Sequence, residues 1–181
     1  AGHIRIYETN GSNLTQLGSS ILGYRSSEFF GYAVSLSGDG SRVAGSALKN
    51  DPNIKQRGTV RVYDYDTSNN KWVQAGDDII GDNEESRIGS VLLLSRTGNQ
   101  LLIGCPLANS GKGVILVYEY LNNRWLQQNK INGVDYGDYF GNSVAISFDG
   151  DTVAGGSSGA FYQRELNSSS QSIYPNYATV F

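Results

Sequence analysis

Hydrophobic and polar positions alternate along this chain in short runs, and the same runs return three times. One such run occupies residues 2–7, 58–63 and 113–118. In the first copy two isoleucines alternate with Arg5 and Tyr7, and a period of two over branched and aromatic residues predicts a half-buried β-strand. The third copy has Leu116 where the others have arginine, so we expect that strand to be buried more completely.

A second run has one bulky face and one small face. Residues 30–37 alternate Phe, Tyr, Val and Leu with Gly, Ala and Ser, and residues 140–148 do nearly the same. Small side chains allow a second sheet to approach closely, and stacked sheets lie about 10 Å apart. The middle copy places Val91 and Leu93 on the small face, which predicts a wider or more apolar contact there.

Turn signals and tryptophans complete a period close to 55 residues. Asp39–Gly40 and Asp149–Gly150 separate two apolar runs, which indicates hairpins. Trp72 and Trp125 are each followed two residues later by glutamine. The repetition predicts an all-β fold of three four-stranded antiparallel blades of β-propeller type, as a partial or assembled propeller. The blades are assigned to residues 1–57, 58–112 and 113–158, and residues 159–181 are assigned to a tail or the start of a further blade.

Composition narrows the functional classes. Charged residues make up 17% of the chain, glycine occurs 23 times and the net charge is -3, so no basic surface for nucleic acid is expected. No apolar run is long enough to span a bilayer. Cys105 is the single cysteine and lies in an apolar run, which favours a small buried hydrophobe over a reactive thiol.

The repeated landmarks resemble the FG-GAP repeat of integrin α-chain propellers and related surface proteins. They combine a Phe-Gly strand with a small-residue strand that follows the turn. The residues expected to define the fold are Phe30, Gly31, Asp39, Gly40, Trp72, Gly89, Gly98, Trp125, Phe140, Gly141, Asp149 and Gly150. The resemblance implies the propeller fold much more strongly than it implies a function.

Integrin-like repeats often carry a calcium loop between these strands, but here that loop has shrunk to a tight turn. Calcium needs six to eight oxygen ligands, so this part of the family pattern does not transfer. Acidic loops elsewhere supply the weaker metal candidates Asp82, Glu84, Asp135 and Asp138. The alternative is that these carboxylates form solvated loop faces. We therefore expect no cofactor, with calcium as the remaining alternative.

No catalytic residues emerge from the sequence. His3 is the single histidine, and its strand has threonine or valine at that position in the other copies. The predicted protein is therefore not an enzyme. Asn10, Asn13 and Asn167 begin N-glycosylation triplets in predicted loops, which fits a protein that passes through a secretory pathway.

Three blades are too few to close a ring, because propellers typically have four to eight. The chain is a fragment of a longer propeller, pairs with another three-blade chain, or stays open with covered ends. We expect a non-catalytic structural or adhesive module of an extracellular or cell-surface assembly, with other protein chains, further copies of itself or glycans as partners. The alternatives are a carbohydrate- or ligand-binding propeller and a propeller hydrolase.

Overall fold

The computed structural model describes residues 1–48, 57–82, 87–159 and 178–180, and these residues are almost entirely β. The one helical segment is a turn, α1, at Ala108–Gly111. The strands are β1 His3–Ile4, β2 Tyr7–Asn10, β3 Asn13–Gln16, β4 Ile21–Leu22, β5 Val34–Leu36, β6 Arg42–Ala47, β7 Thr59–Asp66, β8 Lys71–Gln74, β9 Ile79–Ile80, β10 Val91–Leu94, β11 Gln100–Cys105, β12 Val114–Leu121, β13 Arg124–Asn132, β14 Ser143–Ile146, β15 Val153–Gly156 and β16 Ala178–Val180. The predicted all-β class is confirmed.

The strands form antiparallel sheets that follow one another along the chain. Sheet I consists of the pairs β1–β4 and β2–β3, and sheet II has the order β5-β6-β7-β8 with β9 also beside β7. Sheet III has the order β10-β11-β12-β13, and sheet IV has the order β14-β15-β16. Strand β10 contacts both β5 and β14, so the first strands of sheets II, III and IV lie side by side. Sheets II and III each join the end of one sequence repeat to the start of the next.

The core lies between successive sheets. The cluster between sheets I and II contains Ile4, Ile6, Ile21, Phe30, Val43, Ala47 and Tyr63. The cluster between sheets II and III is larger, and its fully buried members include Val60, Val62, Ile88, Leu101 and Ile103. Each alternating strand therefore offers one face to the sheet before it and the other to the sheet after it.

A pair of residues fills each interface in one of two ways. A Cβ atom on Gly45 would lie 3.2 Å from the Phe30 ring, and one on Gly155 would lie 2.6 Å from the Phe140 ring. In sheet III the position of Gly45 is occupied by Ile103, which is fully buried. The aromatic partner is correspondingly reduced to isoleucine at position 88. The interface between sheets I and II therefore combines a large ring with a position that has no side chain, whereas sheet III combines two branched side chains of medium size.

The glycine that opens each long strand is required by the next repeat. Gly58 has φ +79° and Gly113 has φ +82°. A Cβ atom at either position would overlap the carbonyl oxygen of Ile88 or Phe140, respectively. These glycines therefore combine a positive φ with a close backbone contact, and both demands exclude larger residues.

Each of the two tryptophan side chains donates a hydrogen bond to a backbone carbonyl of the preceding sheet. The Trp72 Nε1–H donates to the carbonyl of Leu17 at 2.9 Å, and the Trp125 Nε1–H donates to the carbonyl of Ala75 at 3.0 Å. Each ring is also tilted against a tyrosine of its own sheet at about 5 Å, with centroid distances of 5.1 Å to Tyr65 and 5.0 Å to Tyr120. The tryptophan thus anchors the outer strand of one sheet to the sheet before it.

The predicted turns form with their side chains engaged. The Asp39 carboxylate accepts hydrogen bonds from the backbone N–H of Ser41 and the hydroxyl of Ser37, which lower the pKa of Asp39 to about 2. Glycines 40, 98 and 150 all have positive φ. Cys105 is buried, and burial raises the pKa of its thiol to about 12, which matches the expected buried hydrophobe.

Candidate functional site

An open cleft lies between the outer strands of sheets II and III. It is lined by Asp77, Asp78, Ile79 and Ile80 from sheet II and by Tyr118, Arg124, Trp125 and Leu126 from sheet III. We call this surface the outer cleft. Asp77 and Arg124 are exposed, whereas Trp125 is buried and forms part of the wall.

A break in the outer strand of sheet II creates one side of the cleft. Strand β8 ends at Gln74 and β9 begins at Ile79. Between them, Ala75 donates its N–H to the Val62 carbonyl and accepts the indole N–H of Trp125 through its own carbonyl. The equivalent strand of sheet III, β13, is continuous across nine residues. The break therefore places the two aspartates at the rim of the cleft.

The wall from sheet III is held in place by Arg42. Its guanidinium lies 4.2 Å from the centroid of the Tyr120 ring and forms a two-point ion pair with Asp64. It also donates to the carbonyl of Gly98 at 3.0 Å. The hydrogen bonds that Arg42 donates to Asp64 raise the pKa of Arg42, so this clamp between sheets II and III keeps its charge at every ordinary pH.

Tyr118 presents a neutral hydroxyl to the cleft region. The O–H lies 3.3 Å from the Oε1 atom of Gln127, to which it donates. Burial, together with the negative charge of Asp82, raises the pKa of Tyr118 to about 12. The phenol therefore serves as a hydrogen-bond donor and acceptor and stays un-ionised near neutral pH.

The equivalent place between sheets I and II is closed. Tyr24 occupies the repeat position of Asp82, and its ring lies 3.9 Å from the Arg61 guanidinium. The Tyr24 hydroxyl donates to Gln74 at 2.7 Å, so the phenol covers the outer end of this interface. Asp82 is exposed and too short to cover the interface between sheets II and III in the same way, so the outer cleft stays open there.

A buried ion cluster lies beneath Tyr24. Arg61 is 5% exposed and Glu28 is 2% exposed. The guanidinium contacts Glu28 at 3.2 and 3.3 Å and Asp78 at 3.0 Å. Burial acts to lower the pKa of Arg61, but the hydrogen bonds that it donates to both carboxylates outweigh burial, and the pKa is raised.

The remaining acceptors of this cluster are also used. Glu28 accepts the backbone N–H of Tyr24 at 2.6 Å, and Asp78 accepts a hydrogen bond from Gln74 at 2.8 Å. The Tyr63 hydroxyl is buried next to the cluster with no hydrogen-bond partner among the described residues, and burial raises its pKa above the ordinary range. Asp78 therefore belongs to a structural cluster, which leaves Asp77 as the free carboxylate of the outer cleft.

The metal candidates that the structure describes, Asp82, Asp135 and Asp138, do not assemble into a site. Within residues 1–48, 57–82, 87–159 and 178–180 no three His, Cys, Asp or Glu side chains are arranged to hold a metal ion. Asp138 instead accepts the backbone N–H of Asp135 at 3.0 Å, which closes a turn. Asp82 acts on Tyr118 as described above, and Glu84 lies outside the described residues.

Two of the three predicted glycosylation positions fall in one hairpin. Asn10 ends β2, Asn13 begins β3, and the two are paired and exposed. Asn167 lies outside the described residues. Among the helices of the described part of the chain, none is long and apolar enough to cross a membrane.

No family model matches the chain, and no curated protein matches it. The FG-GAP assignment therefore has no independent support, although the β-propeller type of fold does.

Solved structures share the fold. A proposed 6-phosphogluconolactonase from Bacteroides uniformis is 14% identical with a TM-score of 0.58, and the match covers 86% of this chain and 41% of that one. One from Bacteroides fragilis is 17% identical with a TM-score of 0.50, covering 72% and 33%. Hydrazine synthase of Kuenenia stuttgartiensis is 15% identical with a TM-score of 0.51, covering 81% and 37%. These likenesses are to β-propeller folds, and this chain spans less than half the length of each protein.

The expectation of a non-catalytic structural or adhesive module, and with it the prediction that the protein is not an enzyme, was wrong. The first two structural neighbours carry the names of enzymes, and neither name refers to adhesion. The physical reason is that the Phe-Gly and Asp-Gly landmarks form sheet contacts and turns, which stabilise the stack whatever its loops bind.

Sequence reasoning missed the outer cleft. The signal was present as two departures from the repeat: Asp82 stands where the first copy has Tyr24, and Asp77 stands where it has Ser19. Neither departure marks a cleft until the outer strands of successive sheets are known to face each other.

Proposed function

We propose that this chain is part of a β-propeller hydrolase and that the outer cleft binds its small, polar, sugar-derived substrate. The observation that carries the proposal is the outer cleft, which an exposed carboxylate, an exposed guanidinium and aromatic rings line, whereas Tyr24 covers the repeat-equivalent place between sheets I and II. The fold likeness to proposed 6-phosphogluconolactonases supports the choice of reaction class.

The cleft residues suit hydrolysis of a sugar lactone that carries a phosphate or another anionic group. Arg124 binds the anion, because a guanidinium pairs with phosphate and carboxylate oxygens in a two-point geometry. Tyr118 and Trp125 supply aromatic surface and a hydroxyl for the sugar ring. Asp77 accepts a proton from water as the water oxygen adds to the lactone carbonyl. The ring C–O bond then breaks, and the leaving oxygen takes up the proton to give the open hydroxy acid.

Substitution of the two charged cleft residues tests these roles. We expect Arg124→Ala to raise KM for 6-phosphogluconolactone by about 10-fold to 100-fold, since a charged hydrogen bond contributes about 1.5–3 kcal/mol. We expect Asp77→Asn to lower kcat by about 100-fold or more. Lys71→Ala is the matched control, because Lys71 is the repeat equivalent of Arg124 at the closed place. Equal loss in the control, or no hydrolysis and no lactone binding by the unmodified chain, would overturn the proposal.

A second test closes the cleft without removing a cleft charge. Asp82→Tyr introduces the residue that covers the equivalent place between sheets I and II. We expect this variant to keep its melting temperature within a few degrees while losing at least 10-fold in substrate affinity, measured by titration calorimetry. Unchanged affinity in a folded Asp82→Tyr variant would show that the substrate binds elsewhere.

We propose that further blades complete the propeller around this chain, since the chain matches only 41% of the longer neighbour. Further residues of the same polypeptide, other protein chains or further copies of this chain are the candidate sources. An extracellular location and glycans at Asn10 and Asn13 stay predictions. The mass of the chain after secretion from a eukaryotic host, before and after removal of N-glycans, tests both.

A further inference from the structure

Sheet I is a half-sheet with one long edge unpaired among the described residues. Its strands β1 and β2 are the repeat equivalents of β7 and β12, each of which has neighbours on both edges. Strand β7 pairs with β6 on one side and with β8 on the other. Strands β1 and β2 pair only with β4 and β3 within the described part of the chain, so no described strand lies on the side where β6 would lie.

Sheet IV presents the complementary edge. Its strand β15 is the equivalent of β6, and it pairs with the three-residue strand β16. The register places Gly155 opposite Thr179, just as Gly45 lies opposite Arg61 in sheet II. Strand β16 therefore occupies the place of the long strand, but it covers three residue pairs, whereas β6 and β7 share six. A longer strand in this place would satisfy more backbone groups.

Charge on the two half-sheets is complementary. Arg5 is the repeat equivalent of Arg61, it is exposed, and its Nε–H donates to Ser20 just as Arg61 donates to Asp78. Asp138 is the repeat equivalent of Glu28, the second partner of Arg61. If the half-sheets were joined in the register of sheet II, Arg5 would meet Asp138.

Apolar surface on the two half-sheets is complementary as well. Tyr7 is 46% exposed, whereas its equivalent Tyr63 is 5% exposed and buried by the sheet before it. Val134 is 75% exposed and occupies the repeat position of Tyr24, the residue that covers the outer end of the interface between sheets I and II. Joining the half-sheets would bring Tyr7 against Val134 and remove both from water.

We propose that a second copy of this chain inserts residues 2–22 beside β15 in place of β16. The joined half-sheets form one four-stranded sheet, with Arg5 of one copy paired to Asp138 of the other. The contact is head-to-tail, and such contacts close into rings when the rotation permits. Two copies then share two joined sheets and contribute two sheets each, which gives a ring of six, within the ordinary range for propellers.

A charge exchange tests the pairing. Light scattering after size exclusion should give a mass of about twice 19.6 kDa for the unmodified chain at micromolar concentration. Arg5→Glu and Asp138→Arg should each weaken association at least 10-fold, and the double variant should restore it. Lys71→Glu, an exposed charge reversal on β8, should have no effect. A monomer at all concentrations, or a double variant no better than the singles, would overturn the proposal.

Cross-linking and strand competition test the register. A mixture of Tyr7→Cys and Val134→Cys chains should form a disulfide-linked pair, whereas neither variant should do so alone, and the native Cys105 is buried. Thr179→Pro should tighten association, because proline weakens the competing strand β16. Weaker association of folded Thr179→Pro would mean that β16 supports the contact, and the proposed replacement would then be wrong.

Discussion

The two interfaces between successive sheets solve the same packing problem with different chemistry. Sheets I and II meet through a buried ion cluster covered by Tyr24. Sheets II and III meet through aliphatic residues, with Leu116 at the repeat position of Arg61, and their outer end is open. The difference shows that the repeat determines which positions face each other between two sheets. Single substitutions at these positions decide whether the outer end of the interface is covered by a side chain or forms a cleft.

Substitutions in the buried ion cluster should have the largest effect on the free energy of unfolding. Glu28→Ala leaves Arg61 buried with only Asp78 as a partner, and breaking a buried ion pair costs about 3–5 kcal/mol. We expect a loss of that size in the free energy of unfolding by urea. The double variant Glu28→Leu with Arg61→Leu imitates the aliphatic interface and should recover most of the loss. A double variant as unstable as Glu28→Ala would show that the two interfaces are not interchangeable.

Exchange of the residues that fill the interface between sheets I and II should have the next largest effect on stability. Phe30→Ile leaves a cavity beside Gly45 and should cost roughly 1–3 kcal/mol. Phe30→Ile combined with Gly45→Ile and Ile4→Val copies Ile88, Ile103 and Val60 of the next interface and should recover stability in thermal melts. Gly45→Ile alone should be the least stable variant, because the Ile4 Cδ1 atom and the Phe30 ring lie where the new side chain must go. Additive losses in the triple variant would show that the three exchanges do not compensate one another.

The stability lost on removing each tryptophan hydrogen bond should depend on how deeply the indole is buried. Trp125 is buried, so Trp125→Phe leaves the carbonyl of Ala75 without its donor in a dry setting, at a cost of about 1–3 kcal/mol. Trp72→Phe removes the same bond in the half-buried place and should cost less, about 1 kcal/mol. Equal losses in chemical denaturation would mean that burial does not set the strength of these bonds.

The turns should contribute the smallest difference in stability between the sheets, and this contribution depends on pH. Hydrogen bonds depress the pKa of Asp39 in the folded chain from 3.8 to about 2, so its contribution is present above pH 4 and is lost as pH falls towards 2. Because Asp39 is exposed, we expect less than about 1 kcal/mol. Asp39→Asn should remove this acid dependence, whereas Thr97→Asn in the matching turn of sheet III should leave it unchanged. An NMR titration that gives Asp39 a pKa near 3.8 would contradict the assignment.

Much of the fold was predictable because the repeat is periodic. Alternation identified the long strands, and Asp-Gly identified two of the turns, because both patterns act over a few neighbouring residues. The outer cleft was not predictable in the same way. Asp77 and Arg124 are 47 positions apart in the printed sequence, and only the facing of outer strands brings them to one surface.

The metal candidates show that residues close together in the sequence need not form the site that their spacing suggests. Asp135 and Asp138 are close in sequence and suggested a ligand cluster, yet the Asp138 carboxylate closes a turn by accepting a backbone N–H. A carboxylate three residues from another can bind a metal or cap a turn, and the backbone conformation decides between them.

By itself the sequence determined the all-β class, the period near 55 residues, the strands and the turn glycines, because each depends on local periodicity and local steric limits. Tertiary structure alone decided that sheets II and III each join two sequence repeats, that Arg61 is neutralised by residues 33 and 17 positions away, and that the cleft opens beside Asp82. These features depend on which residues face each other across two sheets, and no spacing within one strand contains that information.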